Sequence, residues 1–172
     1  MHDIAKVSSQ KLILGMMLCF LSACGYHLKG SVVLPLALQK IYVSERASVP
    51  FIEALNTVYQ HNSTGQVVKR KSDAGLIIEV LYENYSRHTL SLNTSGYSNE
   101  YELTYEIQFN LVNQQGKTLA SNQKFIVKKT YYNEQQSDSL IAKQEEEQRL
   151  RQALYIEAVH RIIERSRALI KP

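Results

Sequence analysis

The sequence lacks the residue patterns that most catalytic and metal sites require. Its five histidines show no metal-ligand spacing such as H-x-x-x-H. No G-x-S-x-G motif marks an activated serine, and Gly75, Gly96 and Gly116 stand singly instead of forming a phosphate-binding loop. The acidic run at 145–147 is predicted to be the solvated start of a helix, because consecutive helical residues point about 100° apart and do not converge. These absences predict a protein that is not an enzyme and that has no metal or cofactor.

The sequence has only two cysteines, Cys19 and Cys24, and both lie at the end of an N-terminal leader. In this leader two lysines precede the apolar run 12–21, which is too short to cross a bilayer because a spanning helix takes about 20 residues. Cys24 follows Leu-Ser-Ala, a pattern that resembles the bacterial lipobox, in which the cysteine is acylated and the chain is cut before it. Residues 1–23 are therefore predicted to be a lipoprotein signal peptide, with Cys24 as the lipid attachment site. The alternative is an ordinary secretory signal with a chance cysteine.

The predicted mature chain, 24–172, would form one domain without a free thiol. Its 149 residues suit a single core, with 24–38 as an entry segment, and no linker, repeat or low-complexity tract divides it. Without the leader's two lysines and one aspartate, the 20 basic and 16 acidic residues leave a net charge of +3, too low to indicate a nucleic-acid partner. Gly25, rather than Asp, follows the cysteine. This resembles the sorting signal of lipoproteins anchored on the periplasmic side of the outer membrane.

Hydrophobic periodicity predicts four strands. A short β-branched and aromatic segment at 40–43 is the first. In the second, Leu76, Ile78, Val80 and Tyr82 are expected on one face and Glu83 on the other. From 101 to 111 apolar and polar residues alternate without exception, which predicts a long strand with one buried face. A hairpin at 115–117 leads to a partner strand at 119–132. The polar face of this sheet is expected to be rich in tyrosine.

Two segments show helical spacing. The first starts at Pro50, carries Phe51, Leu55 and Val58 on one side, and ends in the turn residues at 61–65. The second runs from Ser137 to the end of the chain with an apolar stripe. One apolar sheet face and two amphipathic helices predict an α+β fold, a two-layer sandwich with two helices packed on one face of a four-stranded mixed β-sheet.

Three segments resemble a known family. Positions 24–30 read CGYHLKG, 99–103 read NEYEL, and 139–145 read SLIAKQE before further glutamates and an arginine. In this order, and with the same series of helix, three-stranded meander and long helix, they resemble the LptE family of lipopolysaccharide-assembly lipoproteins over nearly the whole mature chain.

The resemblance implies a function and a partner. LptE-like proteins assemble one-to-one with the outer-membrane β-barrel LptD and plug it. They assist insertion of lipopolysaccharide into the outer leaflet and are thought to bind lipopolysaccharide. The resemblance therefore implies lipopolysaccharide and LptD as partners. The alternative is a free periplasmic lipoprotein module that binds a small ligand or inhibits an enzyme.

Basic residues are the candidates for contact with lipopolysaccharide phosphates. Lys143 falls where the resembled family keeps a lysine near the start of its last helix, a position unfavourable for a cation. Lys128 and Lys124 share one face of the last strand, with Lys129 on the other. The alternative for the strand lysines is ordinary solvation or protection of an edge strand, because Lys discourages the addition of another strand.

Overall fold

The computed structural model describes residues 34–60, 65–132 and 140–170. Cys24, the signal peptide and the predicted helical residues 137–139 lie outside these ranges. The described elements, in chain order, are α1 (Leu36–Gln39), β1 (Lys40–Val43), α2 (Val49–Gln60), β2 (Gln66–Val67), a 3₁₀ turn (Lys71–Asp73), β3 (Leu76–Leu92), β4 (Ser98–Asn113), β5 (Thr118–Tyr132) and α3 (Leu140–Ile170). Within the described ranges, no helix is both long and apolar enough to cross a membrane.

The sheet is mixed and has five strands in the order β2-β1-β3-β4-β5. Strand β1 pairs in parallel with both β2 and β3, and the other two pairings are antiparallel. The α+β class is confirmed, but the prediction of four strands is wrong. The additional strand, β2, is only two residues long, so it carries no alternation that a sequence pattern could reveal.

A β-bulge at Leu81 changes the face of the residues of β3 from Tyr82 to Thr89, where the next irregularity of the pairing begins. Val80 pairs with Phe109, but the neighbouring residue of β4, Gln108, pairs with Tyr82. An extra residue in one strand reverses the odd–even alternation beyond it. The prediction that Tyr82 shares a face with Val80 is therefore wrong, and so is the placement of Glu83 on the opposite face. Tyr82 is exposed, whereas Glu83 pairs with the buried Ile107.

One hydrophobic core joins strand β4 to both long helices. The alternating residues of β4 from Leu103 to Leu111 are fully buried, as the sequence predicts. The core also contains the helical residues Phe51, Leu55, Leu154, Ala158 and Ile162. Burial of apolar side chains contributes most of the favourable free energy of folding. The placement of both helices on a single face stays a prediction.

Candidate functional site

The carboxylate of Glu147 is the centre of a polar cluster between the sheet and α3. It accepts hydrogen bonds from Arg87 Nη1 at 2.8 Å, Tyr131 Oη at 3.0 Å and Tyr85 Oη at 3.3 Å. We call these four residues the Glu147 cluster. Strand β3 supplies two donors, Tyr85 and Arg87, and β5 supplies the third, Tyr131. Tyr85 donates to Oε1 and the other two donate to Oε2, so both carboxylate oxygens are occupied. The prediction of a solvated Glu147 is wrong, because only 27% of its side chain is exposed.

Aromatic rings support the cluster from both sides. The Tyr131 ring stacks on Tyr101 with a centroid distance of 5.4 Å. The Arg87 guanidinium lies 4.9 Å from the Tyr101 ring centroid, and the Arg151 guanidinium lies 4.3 Å from that of Tyr85. At these distances the ring face attracts the cation. Each arginine is therefore held over a ring that the sheet positions.

The cluster stabilises the ionised carboxylate. Partial burial alone would raise the pKa of Glu147, but hydrogen bonds from Tyr131 and Arg87 outweigh it, and the net pKa is lowered. Burial and the neighbouring Glu147 charge raise the pKa of Tyr85 to about 12. Burial and the hydrogen bond to Glu147 likewise raise the pKa of Tyr131 to about 12. Near neutral pH the cluster therefore holds one carboxylate, one guanidinium and two neutral phenols.

Sequence reasoning missed this cluster because of the bulge. Without it, alternation from Leu76 would place Tyr85 and Arg87 on the polar face of the sheet. The reversal at Leu81 moves both side chains to the face where Glu147 lies. A single extra residue leaves no signal in the sequence when the flanking residues suit either face.

The polar face of the sheet carries cross-strand ion pairs. Lys124 Nζ lies 2.7 Å from Glu106 Oε1, and Lys128 Nζ lies 2.9 Å from Glu102 Oε1. Both lysines share one face of β5 as predicted, since they lie opposite the even-numbered residues of β4. The expected richness in tyrosine is correct only in part: Tyr82 and Tyr132 lie on this face, opposite Gln108 and Glu100. Tyr85, Tyr101, Tyr105 and Tyr131 lie on the other face.

The predicted ligand residues do not form one site. Lys124 and Lys128 lie on the polar face, whereas Lys143 lies on α3, one helical turn before Glu147. Lys143 is half-buried and has no ion pair with any residue that the structure describes. The structure therefore brings Lys143 close to the Glu147 cluster along the helix and leaves the two strand lysines apart from it.

Other parts of the described chain offer little chemistry. A cavity of about 460 Å³ lies between the Asn113–Gln115 turn, Leu36 and Leu169, and none of the described residues that line it is charged. Within residues 34–60, 65–132 and 140–170, no group of three or more histidine, cysteine or acidic side chains could hold a metal ion.

The comparison with protein families assigns the chain. The family described as "LptE: Lipopolysaccharide-assembly" matches residues 38–166, three quarters of the sequence. The chain belongs to the LptE family. This confirms the resemblance to the family, and the matched range contains two of the three sequence segments, 99–103 and 139–145. It also confirms the prediction that the chain is not an enzyme, since this family is a non-enzymatic component of lipopolysaccharide transport. Among curated proteins, none matches the chain.

Solved structures share the fold. The solution structure of the uncharacterized lipoprotein B from Nitrosomonas europaea is 26% identical with a TM-score of 0.62, over 81% of this chain and 88% of that one. The rare lipoprotein B from Shewanella oneidensis is 24% identical with a TM-score of 0.55, over 75% and 93%. A minor lipoprotein from Acinetobacter baumannii is 16% identical with a TM-score of 0.56, over 76% and 91%. Together with the family, the first of these supports a membrane-associated lipoprotein with a role in lipopolysaccharide assembly.

Proposed function

We propose that this LptE-family protein is anchored through Cys24 in the periplasmic leaflet of the outer membrane. There it assembles one-to-one with the barrel LptD, plugs it, and assists insertion of lipopolysaccharide. The observation that carries the proposal is the family match over residues 38–166. The rival is a free periplasmic lipoprotein module that binds a small ligand or inhibits an enzyme.

The polar sheet face supports the barrel partner. The interior of a large outer-membrane barrel is polar, so a plug needs a polar surface. The face that carries Glu102, Glu106, Lys124 and Lys128 has alternating charges and exposes both lysines. Such a face exchanges its hydration for polar contacts at small cost, whereas a charged face against an apolar partner would lose stability.

The test is recovery of a barrel from detergent extracts. A tagged parent protein is expected to bring down one large barrel protein at a near one-to-one ratio. The double variant Glu102→Lys with Glu106→Lys should reduce this recovery, because it leaves four lysines facing the lumen. Glu53→Lys with Glu164→Lys, on exposed helix positions, is the matched control and should recover the barrel like the parent.

The rival module would give a different result. A parent protein recovered alone, and released as a monomer once its lipid is removed, would contradict the barrel proposal. Equal loss of recovery in the two double variants would contradict the role of the polar face, since a general change in charge would then explain it.

We also propose that Lys143 contacts a lipopolysaccharide phosphate. Lys143 has no carboxylate partner among the described residues, whereas Lys124 and Lys128 already form ion pairs and are weaker candidates. Hydrogen bonds between charged partners are the strong ones. Lys143→Asp should weaken lipopolysaccharide binding about fivefold, the value expected for one partly exposed contact of about 1 kcal/mol. High salt should reduce the difference from the parent.

The control for Lys143→Asp is Lys117→Asp, which makes the same charge change in the exposed hairpin turn before β5. We expect Lys117→Asp to bind like the parent. If Lys143→Asp also binds like the parent while circular dichroism reports a native fold, Lys143 is an ordinary solvated residue and the contact is wrong.

A further inference from the structure

The start of the described chain, two connecting segments and the end of α3 meet at one end of the sheet. Leu76, the first residue of β3, pairs with Asn113, the last residue of β4. Gly75 donates from its backbone N–H to the Lys40 carbonyl at 2.8 Å, so the segment before β3 lies against the start of β1. Residues near the start of the described chain and at the end of α3 line the cavity beside the 113–115 turn. The opposite end of the sheet is the turn between β3 and β4.

Five exposed cations lie at this end, in three separate segments. They come from the start of β1, from the segment between β2 and β3, and from the turn between β4 and β5: Lys40, Lys69, Arg70, Lys71 and Lys117. We call these five residues the basic end. Arg70 pairs with Asp73 and Lys71 with Glu79, whereas the other three form no ion pair with a residue that the structure describes. The turn at the opposite end, 93–97, contains no charged residue. The two ends of the sheet therefore differ in charge.

An exposed leucine lies beside the basic end. Leu36 is 84% exposed, more than any other large apolar side chain in the described parts of the chain. Leu119, Leu169 and Ile170 line the cavity next to it. Proteins that bind a membrane surface combine an apolar group, which enters the interface, with lysines and arginines that attract anionic headgroups. The basic end and Leu36 together have both of these features.

The proposed lipid anchor keeps this end close to a membrane. Leu34, where the described chain begins, follows Cys24 by ten residues, and an extended chain of that length reaches about 35 Å. Such a tether makes contact between the domain and its own leaflet an intramolecular event, so even a weak contact is populated. Each lysine or arginine near an anionic leaflet strengthens the contact about fivefold.

We propose that the basic end and Leu36 dock on the leaflet that holds the anchor. The lysines contact the phosphates of anionic phospholipids, and Leu36 enters the interface. The inference rests on the proposed function, because it assumes the anchor at Cys24. It concerns the anchored domain before it joins the barrel, since the polar lumen of a barrel offers no lipid surface. The docking holds the domain against the membrane in which its proposed partner is inserted.

The test follows the polarity around position 36 in the acylated protein. The variant Leu36→Cys is purified from cell membranes, labelled with the polarity-sensitive dye nitrobenzoxadiazole, and reconstituted into phosphatidylcholine vesicles with or without phosphatidylglycerol. Acylation of Cys24 leaves the introduced cysteine as the free thiol, because Cys19 is removed with the predicted signal peptide. Tyr97→Cys, at a position 66% exposed in the opposite turn, carries the dye in the comparison protein. Flotation with the vesicles checks the anchor separately.

Two double variants test the charges. Lys69→Gln with Lys117→Gln removes two cations of the basic end that have no acidic partner among the described residues. Arg149→Gln with Arg151→Gln is the matched control, because it removes the same charge from exposed positions in the N-terminal half of α3. Arg151 lies over the ring of Tyr85, far along β3 from the basic end.

In anionic vesicles the dye at position 36 should show brighter, blue-shifted emission. Neutral vesicles or high salt should return this emission to its value in water, because salt screens the attraction. The dye at position 97 should report water in every case. The lysine double variant should lower the equilibrium constant for docking about 25-fold, fivefold for each charge, and the arginine control should match the parent.

Three results would overturn the docking. Emission at position 36 that does not depend on lipid charge would do so, and flotation of the same protein would leave the anchor standing. An equal loss in the arginine control would contradict the role of the basic end. A blue shift at position 97 equal to that at position 36 would show that the domain lies flat on the membrane.

Flotation separates this inference from the proposed anchor. A protein that floats with anionic vesicles but not with neutral ones would contradict the anchor and support the contact. A protein that floats with neither would contradict both.

Discussion

Arg87 donates from Nη1 to Oε2 of Glu147 at 2.8 Å and joins two residues that lie 60 positions apart in the chain. This bond connects the C-terminal half of β3 to the N-terminal half of α3. Tyr85 and Tyr131 donate to the same carboxylate, so three donors from two strands depend on one side chain. Tyr85, over whose ring the Arg151 guanidinium lies, is one of these donors, so the same carboxylate also holds the ring under Arg151.

The first prediction is that Glu147→Ala lowers the free energy of unfolding by about 1–2 kcal/mol. The substitution leaves three donors without their acceptor, and partial exposure lets water replace some of the loss. Urea titration followed by circular dichroism measures the change. Glu146→Ala is the control, because its ion pair with Arg149 is well exposed and should contribute nothing measurable. An equal loss in both variants would contradict the role of the cluster.

The second prediction concerns pH. The pKa of Glu147 is lower in the folded protein than in the unfolded chain, so its ionised form stabilises the fold above the unfolded value of about 4.3. This contribution is lost as the pH falls through the lower, folded value. The stability difference between the parent and Glu147→Gln should therefore be largest near pH 6 and shrink towards pH 3. Urea titrations across this range measure it, and a constant difference would contradict the prediction.

The third prediction compares two buried tyrosines. The Tyr59 hydroxyl donates to the Leu38 carbonyl at 3.0 Å, whereas the Tyr105 hydroxyl forms no hydrogen bond of normal geometry among the described atoms and lies near the Glu83 charge. Tyr59→Phe should cost about 1 kcal/mol because it leaves a buried carbonyl without its donor. Tyr105→Phe should be neutral or stabilising, since it removes an unpaired polar atom and keeps the ring packed on Tyr155. Thermal unfolding of both variants measures the change in stability. A larger loss of stability in Tyr105→Phe than in Tyr59→Phe would contradict the prediction.

The fourth prediction is that Cys24 carries lipid. Cells that express the parent and are labelled with palmitate should yield a labelled protein, and Cys24→Ala should lose the label. Cys19→Ala is the control, because Cys19 lies in the predicted signal peptide and should not affect acylation. Label that persists on Cys24→Ala would show that the lipobox interpretation is wrong.

The long-range pattern of the sheet was predictable because β4 alternates strictly. One buried face and one solvated face leave a period of two that any reader of the sequence can follow from Tyr101 to Leu111. The stripe of α3 was predictable for the same reason, with Leu154, Ala158 and Ile162 buried at helical spacing. In both elements the hydrophobic periodicity extends over about ten residues, which is long enough to recognise in the sequence.

The Glu147 cluster depends on events that leave no such signal. The bulge at Leu81 inserts one residue, and β2 consists of two residues. Both are much shorter than the segments over which hydrophobic periodicity can be recognised. Glu147 looked like a solvated residue because it stands in an acidic run. Its partners Arg87 and Tyr131 come from two different strands, and sequence spacing does not reveal such a meeting.

The length of β3 sets a distance across the molecule. From Leu76, beside Ala37 near the start of the described chain, its 17 residues span about 53 Å to Leu92, at about 3.3 Å per residue. A bilayer with its headgroups is about 40–45 Å thick. Arg87 lies about 36 Å along this strand. Groups that contact β3 at Leu76 and at Arg87 are therefore kept about 36 Å apart, most of a membrane's thickness.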